Sequence, residues 1–171
     1  MAVDLTRVRD PEGWSRCEPL FAEYVSWVLA ELGERGAAVR EGQAEAVAAG
    51  FAAERDALLG PRGRLYLASA GATPVGVVAL KPVDDATAEV KRLYVAPAGR
   101  GRGVASSLME RVIADARALG YARLRLETHR YMEGAVALYE RLGFVAAEPF
   151  ADFEGAPFGL AGLTLFYALA L

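Results

Sequence analysis

This chain has few of the residues that most often hold metals or cross-links: one histidine, His129, and one cysteine, Cys17. A single thiol excludes an internal disulfide and suits a reducing compartment, and its apolar helical setting marks it as a packed side chain. With one imidazole and one thiol, a zinc centre would have to be built almost wholly from carboxylates, so no metal site is expected. An excess of charge of one sign is missing too. The 19 basic and 22 acidic residues leave a net charge of −3, which argues against a general nucleic-acid or anionic-membrane surface. No apolar run reaches membrane-spanning length. Asp4, Arg7, Arg9 and Asp10 crowd the start of the chain with charge, unlike a secretory leader. The expectation is a soluble, cytoplasmic protein with no nucleic-acid or membrane partner. A length of 171 residues suits one domain, 1–171, and 54% hydrophobic residues suffice for one core.

Periodicity divides the chain into short elements. Val3–Val8 reads as a strand, closed by Asp10-Pro11. From Trp14 to Leu32 the apolar positions Leu20, Phe21, Tyr24, Val25, Val28 and Leu32 recur with helical spacing, and Pro19 predicts a start or kink near residue 18. Glu41–Leu59 is a second, Ala-rich helical stretch ended by Gly60-Pro61. Leu65–Ser69 and Val75–Leu80 read as a strand pair joined through Gly71–Pro74, followed by a strand over Glu89–Val95. A helix from Val104 stops at Gly120, a strand covers Arg123–Glu127, and a short helix covers Gly134–Leu142. Phe144–Ala147 and Thr164–Leu171 close the pattern as strands. Between them lies Glu148–Leu163, long enough to be a functional loop.

The most informative run is Arg100-Gly101-Arg102-Gly103-Val104-Ala105, between the strand ending at Val95 and the helix that follows. Small residues let a ligand approach the backbone, and free amides at a helix start favour an anion. Two arginines add charge that grips phosphate in a forked geometry. The run is a cradle for a pyrophosphate. A dinucleotide fingerprint needs a third small residue where this chain has Ser106, and it belongs to a first strand rather than to mid-chain. No Lys-Ser or Lys-Thr pair follows the glycines, which excludes a phosphate loop of the nucleotide-triphosphatase kind.

The spacing Arg-x-x-Gly-x-Ala after Tyr94-Val95-Ala96-Pro97 resembles the acetyl-CoA signature of the GCN5-related N-acetyltransferase (GNAT) superfamily. Ala135-Val136-Ala137-Leu138-Tyr139-Glu140-Arg141-Leu142-Gly143-Phe144 resembles that family's second signature, in the same order, and the likeness spans about residues 63–147. The resemblance implies an α/β (α+β) fold. A mixed, mostly antiparallel sheet of about six to seven strands carries helices on both faces, in the order β-α-α-β-β-β-α-β-α-β-β. It implies acetyl-CoA as co-substrate, held by the main chain of Leu93, Tyr94 and Val95, by Arg100, Gly101, Arg102, Gly103, Val104, Ala105 and Ser106, and by Ala135 and Tyr139. It also implies acetyl transfer to a primary amine of a small molecule or of a protein or peptide, by direct attack in a ternary complex, in a monomer or homodimer. Many relatives carry Asn three residues before the Ala of the second block. Here that residue is Met132, so one contact to the coenzyme's arm is lost or replaced.

Acetyl transfer from a thioester needs a base for the amine, a donor for the oxyanion and a proton for the thiolate. Tyr139 matches the family's acid. A main-chain amide at or near Val95 is the expected oxyanion donor. Glu89 lines up with the base of the family's histone acetyltransferases, and Glu127 with a glutamate of its ribosomal-protein acetyltransferases. Glu89 is set slightly ahead, because its strand also leads into the cradle. His129, just past the second carboxylate's strand, is a candidate proton relay. The acceptor groove would be walled by Phe21, Tyr24 and Trp27 with Phe150, Asp152, Phe153 and Glu154, a set suited to a cationic amine. The competing function is a non-catalytic acyl-CoA-binding module that senses acyl-CoA.

Overall fold

The computed structural model describes residues 3–154, 160 and 162–171. Residues 155–159 and 161, within the expected loop Glu148–Leu163, lie outside them. The chain runs through β1 (Val3–Arg7), α1 (Pro11–Glu34), α2 (Gln43–Leu59), β2 (Arg64–Ala70), β3 (Thr73–Pro82) and β4 (Thr87–Val95). A short 3-10 turn, Pro97–Gly99, leads to α3 (Val104–Ala118), β5 (Arg123–His129), α4 (Glu133–Arg141), β6 (Val145–Ala146) and β7 (Thr164–Ala170). The strands form a 7-stranded sheet in the order β1-β2-β3-β4-β5-β7-β6. Its pairings are antiparallel except that of β4 with β5. This is the mixed, mostly antiparallel α/β architecture expected.

Because strand side chains alternate between faces, the sheet buries both. Trp14, Cys17, Leu20 and Phe21 of α1 join Phe51 and Leu58 of α2 over Leu65, Leu67 and Val77. On the opposite face Leu108, Met109 and Val112 of α3 and Leu138 of α4 cover Val78, Leu80, Leu124 and Leu126. Full burial of side chains such as Leu108 and Met109 stabilises by roughly 1.5–3 kcal/mol each. Cys17 is buried as expected, and burial pushes its thiol up to about 12.

Two sequence expectations need correction. α1 begins at Pro11 rather than near residue 18, because Asp10 caps it: the Asp10 carboxylate accepts from the Gly13 N–H at 2.8 Å. Pro19 sits inside the helix. It is exposed, as is Ser15, whose carbonyl it leaves unbonded, so water can take the orphan acceptor. The strand expected over Phe144–Ala147 shrinks to Val145–Ala146, because Phe144 turns into the core.

The strand pairing at mid-sheet positions the site. β4 and β5 pair only from Thr87–Glu89 to Arg123–Arg125, although β4 continues to Val95 and β5 to His129. On its other edge β4 carries a bulge: Val77 opposes Tyr94 while Ala79 opposes Lys91. The inserted residue puts Arg92 at φ 60°, a left-handed backbone that costs a branched-out side chain on the order of 1–2 kcal/mol. A bulge bends its strand, and β4 parts from β5 in a wedge.

Candidate active site

The wedge opens into a cleft whose empty volume, its mouth included, is about 990 Å³. Glu89, Leu93, Glu127, His129, Ala135 and Tyr139 all line it. Val95, the last residue of β4, and the turn Arg100–Ser106 beyond it lie outside this lining. Tyr94 points its ring away from the wedge, toward α1, where it lies 5.7 Å from the ring of Tyr24. Desolvation above all pushes Tyr94 up to about 12.

The turn beyond β4 has the form a pyrophosphate requires. Gly101 and Gly103 stand at φ 71° and 73°, and a Cβ on either would meet nothing within 4 Å. The backbone is therefore bare on its outer side. The Ser107 N–H donates to the Gly103 carbonyl at 3.0 Å, so the amides of Val104, Ala105 and Ser106 precede the first bond internal to α3. The Val104 side chain is buried under α3, leaving only its amide for a ligand. Arg100 and Arg102 are exposed, and Arg100 Nε donates to the Val95 carbonyl at 3.2 Å. Amides at a helix start beside two exposed arginines fit a diphosphate.

Two expected carboxylates have different surroundings. Glu89 is 8% exposed. It accepts from Arg125 Nε at 2.8 Å and has Lys91 Nζ at 3.7 Å. Glu127 has no cation of its own at that range among the described residues. Both of its oxygens accept from the Glu154 main-chain N–H, at 3.0 and 3.1 Å. Burial first, and then the negative Glu154 beside it, push Glu127 up to about 7. Tyr139 is buried against Phe144 and Tyr167, with ring centroids 5.9 and 6.4 Å away. Burial raises its phenol, keeping it neutral. His129 stacks on Tyr131 at 5.3 Å, its Nδ1 is buried without a partner among the described residues, and desolvation lowers its pKa. Met132, in place of the family's Asn, receives the Thr128 hydroxyl on its sulfur at 3.4 Å.

The expected acceptor wall is divided. Tyr24 lines the cleft. Phe21 is buried between α1 and α2, 5.4 Å from both Trp14 and Phe51. Trp27 meets Tyr131 edge-on at 6.2 Å. Phe150 and Phe153 pack on Phe166 at 5.2 and 5.3 Å, and the Arg125 guanidinium lies 4.6 Å from the Phe150 centroid. Asp152 pairs with Arg125 at 2.7 Å, which holds its carboxyl below the usual range.

Sequence reasoning missed the cations of the cleft floor. Arg92 sits 3.3 Å over the Phe51 ring. Its Nη2 reaches Glu54 at 3.2 Å and Glu154 at 2.8 Å. Lys81 and Lys91 hold the other Glu54 oxygen at 2.7 and 3.0 Å. Alternation along β4 and β5 could have put Glu89 with Lys91, and Arg125 with Glu127, on one face. Arg92 joins them only because the bulge shifts register by one residue.

With this geometry in place, comparison with known proteins is direct. The model of the acetyltransferase (GNAT) family matches residues 22–144, and the chain belongs to that family. It is 36% identical over 98 residues to an IAA acetyltransferase of Azospirillum brasilense, covering 57% of this chain and 64% of that protein. It is also 36% identical over 102 residues to the uncharacterized N-acetyltransferase YsnE of Bacillus subtilis, covering 58% and 68%. The aligned part thus falls just short of two thirds of the Azospirillum protein. Among solved structures, a PaiA N-acetyltransferase from Thermoplasma acidophilum in complex with coenzyme A superposes with TM-score 0.73 at 17% identity, covering 100% of both chains. A GNAT family acetyltransferase from Elizabethkingia anophelis with acetyl-CoA bound gives TM-score 0.55 at 25% identity, covering 64% of this chain and 77% of that one. Among the described residues no helix is long and apolar enough to cross a membrane. Nor do three or more His, Cys, Asp or Glu side chains there form a group that could hold a metal ion.

Proposed function

We propose that this chain transfers an acetyl group from acetyl-CoA to a primary amine of a small molecule or peptide, by direct attack in a ternary complex. One observation carries the reading. A carboxyl raised to about 7, Glu127, and a buried neutral phenol, Tyr139, line one wedge, and the strand that opens it leads into the glycine–arginine turn. When bound, the coenzyme supplies an acetyl thioester. Arg100, Arg102 and the amides of Gly101–Ser106 hold its pyrophosphate. The edge of β4 at Leu93 and Val95, unpaired by β5, offers main-chain groups to an extended, amide-bearing arm and one N–H to the carbonyl oxygen.

Glu127 takes the ammonium proton, and its pKa near neutrality matches that task. Glu89 is the weaker choice because Arg125 and Lys91 already engage its charge, and it serves to position those cations. As the N–C bond forms and the C–S bond breaks, Tyr139 gives its phenolic proton to the leaving sulfur and is reprotonated by the second proton that the acylated nitrogen loses. The excess proton reaches water through Glu127. The test is release of free thiol from acetyl-CoA with and without a panel of amines. Amine-dependent release is expected, with Glu127→Gln lowering kcat by about 100-fold or more and Tyr139→Phe lowering kcat more than it raises the KM for acetyl-CoA. Acetyl-CoA binding with no release for any amine would instead favour a sensing module, and amine-independent release a thioesterase.

A further inference from the structure

Glu154 occupies the cleft as a ligand would. Its main-chain nitrogen donates to both oxygens of Glu127, at 3.0 and 3.1 Å. Its side-chain carboxylate accepts from Arg92 Nη2 at 2.8 Å, and Lys91 Nζ stands 3.8 Å away. A nitrogen thus sits on the carboxyl assigned as base. Three carbons along, Cα, Cβ and Cγ, a carboxylate sits on a pair of cations.

The cations are the more deeply buried partners; Arg92 grips the Glu154 carboxylate with both Nη1 and Nη2, but from the inner side of the pair. The Arg92 side chain is 5% exposed and that of Lys91 8%, against 34% for Glu154. Arg92 is held by the β4 bulge, by the Phe51 ring 3.3 Å beneath it and by Glu54 at 3.2 Å. A left-handed φ at a non-glycine residue persists only where its surroundings over-determine it, and such residues cluster at ligand clamps. Arg92 Nε is also buried without a hydrogen-bond partner among the described residues, a donor that native proteins seldom leave unfilled. Glu154 lies in the connection between β6 and β7, outside the sheet. If it withdraws, Glu127 loses that N–H donor, and Arg92 and Lys91 lose an anion together. A single small molecule could restore both.

We propose that the acceptor is an amine bearing a carboxylate about three carbons from its nitrogen, and that it displaces Glu154, its nitrogen going to Glu127 and its carboxylate to Arg92 and Lys91. The inference rests on the acetyl-transfer reading of the cleft with Glu127 as base. A dicationic acceptor has less to bind. Glu54, Glu89 and Asp152 are already paired with lysines and arginines of the chain itself. Displacing such a partner would leave a buried cation uncompensated.

The experiment compares kcat/KM for 4-aminobutanoate, butylamine and 1,4-diaminobutane, by thiol release at saturating acetyl-CoA. The carboxylate amine is expected to lead butylamine by about five-fold or more, the worth of one partly exposed ion pair, with the diamine last. Glu154→Ala keeps the main-chain N–H and removes the competing carboxylate, so the lead should widen. Lys91→Gln removes a cation without touching the strained backbone, so the lead should shrink. Equal or better use of butylamine or the diamine, or a lead that Glu154→Ala leaves unchanged or narrows, overturns the inference while acetyl transfer stands. Silence from all three amines also overturns it, and silence from a wider amine panel overturns the acetyl-transfer reading as well.

Discussion

At the residue scale, the two carboxylates of the cleft have different surroundings. Glu89 is neutralised by Arg125 and Lys91, whereas Glu127 is desolvated and has Glu154 and, further off, Glu89 as negative neighbours, with Lys91 the opposing charge. A nearby anion disfavours ionisation, so taking away the Glu154 charge should lower the Glu127 pKa. The expected result is an acidic limb in kcat/KM near pH 7 that moves to lower pH in Glu154→Gln and vanishes in Glu127→Gln. The ratio kcat/KM is the right readout because it reports the free enzyme, where Glu154 is in place. A limb that stays put in Glu154→Gln would show that the two carboxylates do not interact. These assignments could be read only in part from sequence. Glu89, Glu127 and Tyr139 were found through spacing to the two signatures. The raised pKa of Glu127 is not legible there, because it depends on burial and on Glu154, which reaches it across 27 residues of chain.

At the scale of elements, sequence patterns locate the helices and strands to within a few residues, the start of α1 excepted, but give no sign of how β4 leaves β5. Alternation marks a strand without saying where its partner stops, and a bulge shows no compositional signal at Arg92. The start of α1 was misplaced for a related reason. Proline is usually a helix's first residue, and Pro19 masked a better start in Asp10-Pro11, where the cap and the proline act together. The patterns also hid a polar clamp between elements. Asp115 on α3 accepts from the Tyr66 hydroxyl of β2 at 2.6 Å and from Arg64 Nε at 3.1 Å. Arg111, a turn earlier on α3, donates to the same hydroxyl at 2.9 Å. Tyr66 is 2% exposed, so loss of its acceptor strands a desolvated group. Asp115→Ala should therefore destabilise the fold by about 1–3 kcal/mol, visible as an earlier midpoint in urea at an unchanged slope. The site is remote from the cleft, so the KM for acetyl-CoA should not change; a change there would mean that α3 shifts and carries the cradle with it.

At the scale of the whole molecule, coenzyme binding as proposed would join parts of the fold that the sheet does not. The cradle belongs to the start of α3, the arm's strand edge to β4, and the tyrosine to α4. A ligand that touches all three binds the folded state alone and should stabilise it, by about 2.7 kcal/mol at one hundred times its Kd. For a domain of this size that is a rise in Tm of roughly 5–10 °C, since each kcal/mol moves Tm by about 2–4 °C. Gly103 separates binding from folding. Its φ of 73° makes any L side chain there strained, so Gly103→Val should lower the Tm of the free protein by an amount set by roughly 1–2 kcal/mol of backbone cost. The space around it is open, with nothing within 4 Å of a Cβ, so the core should remain intact. On the proposed reading a phosphate approaches this bare stretch of backbone, so a branched side chain there should crowd it. The decisive quantity is the increment in Tm on adding coenzyme A, rather than Tm itself. Wild type should show the full rise and Gly103→Val little or none, with Gly103→Ala between them. An equal increment in all three, each starting from its own lower or higher baseline, would mean that the pyrophosphate does not lie on this turn, and the cradle would lose its place in the proposed reaction.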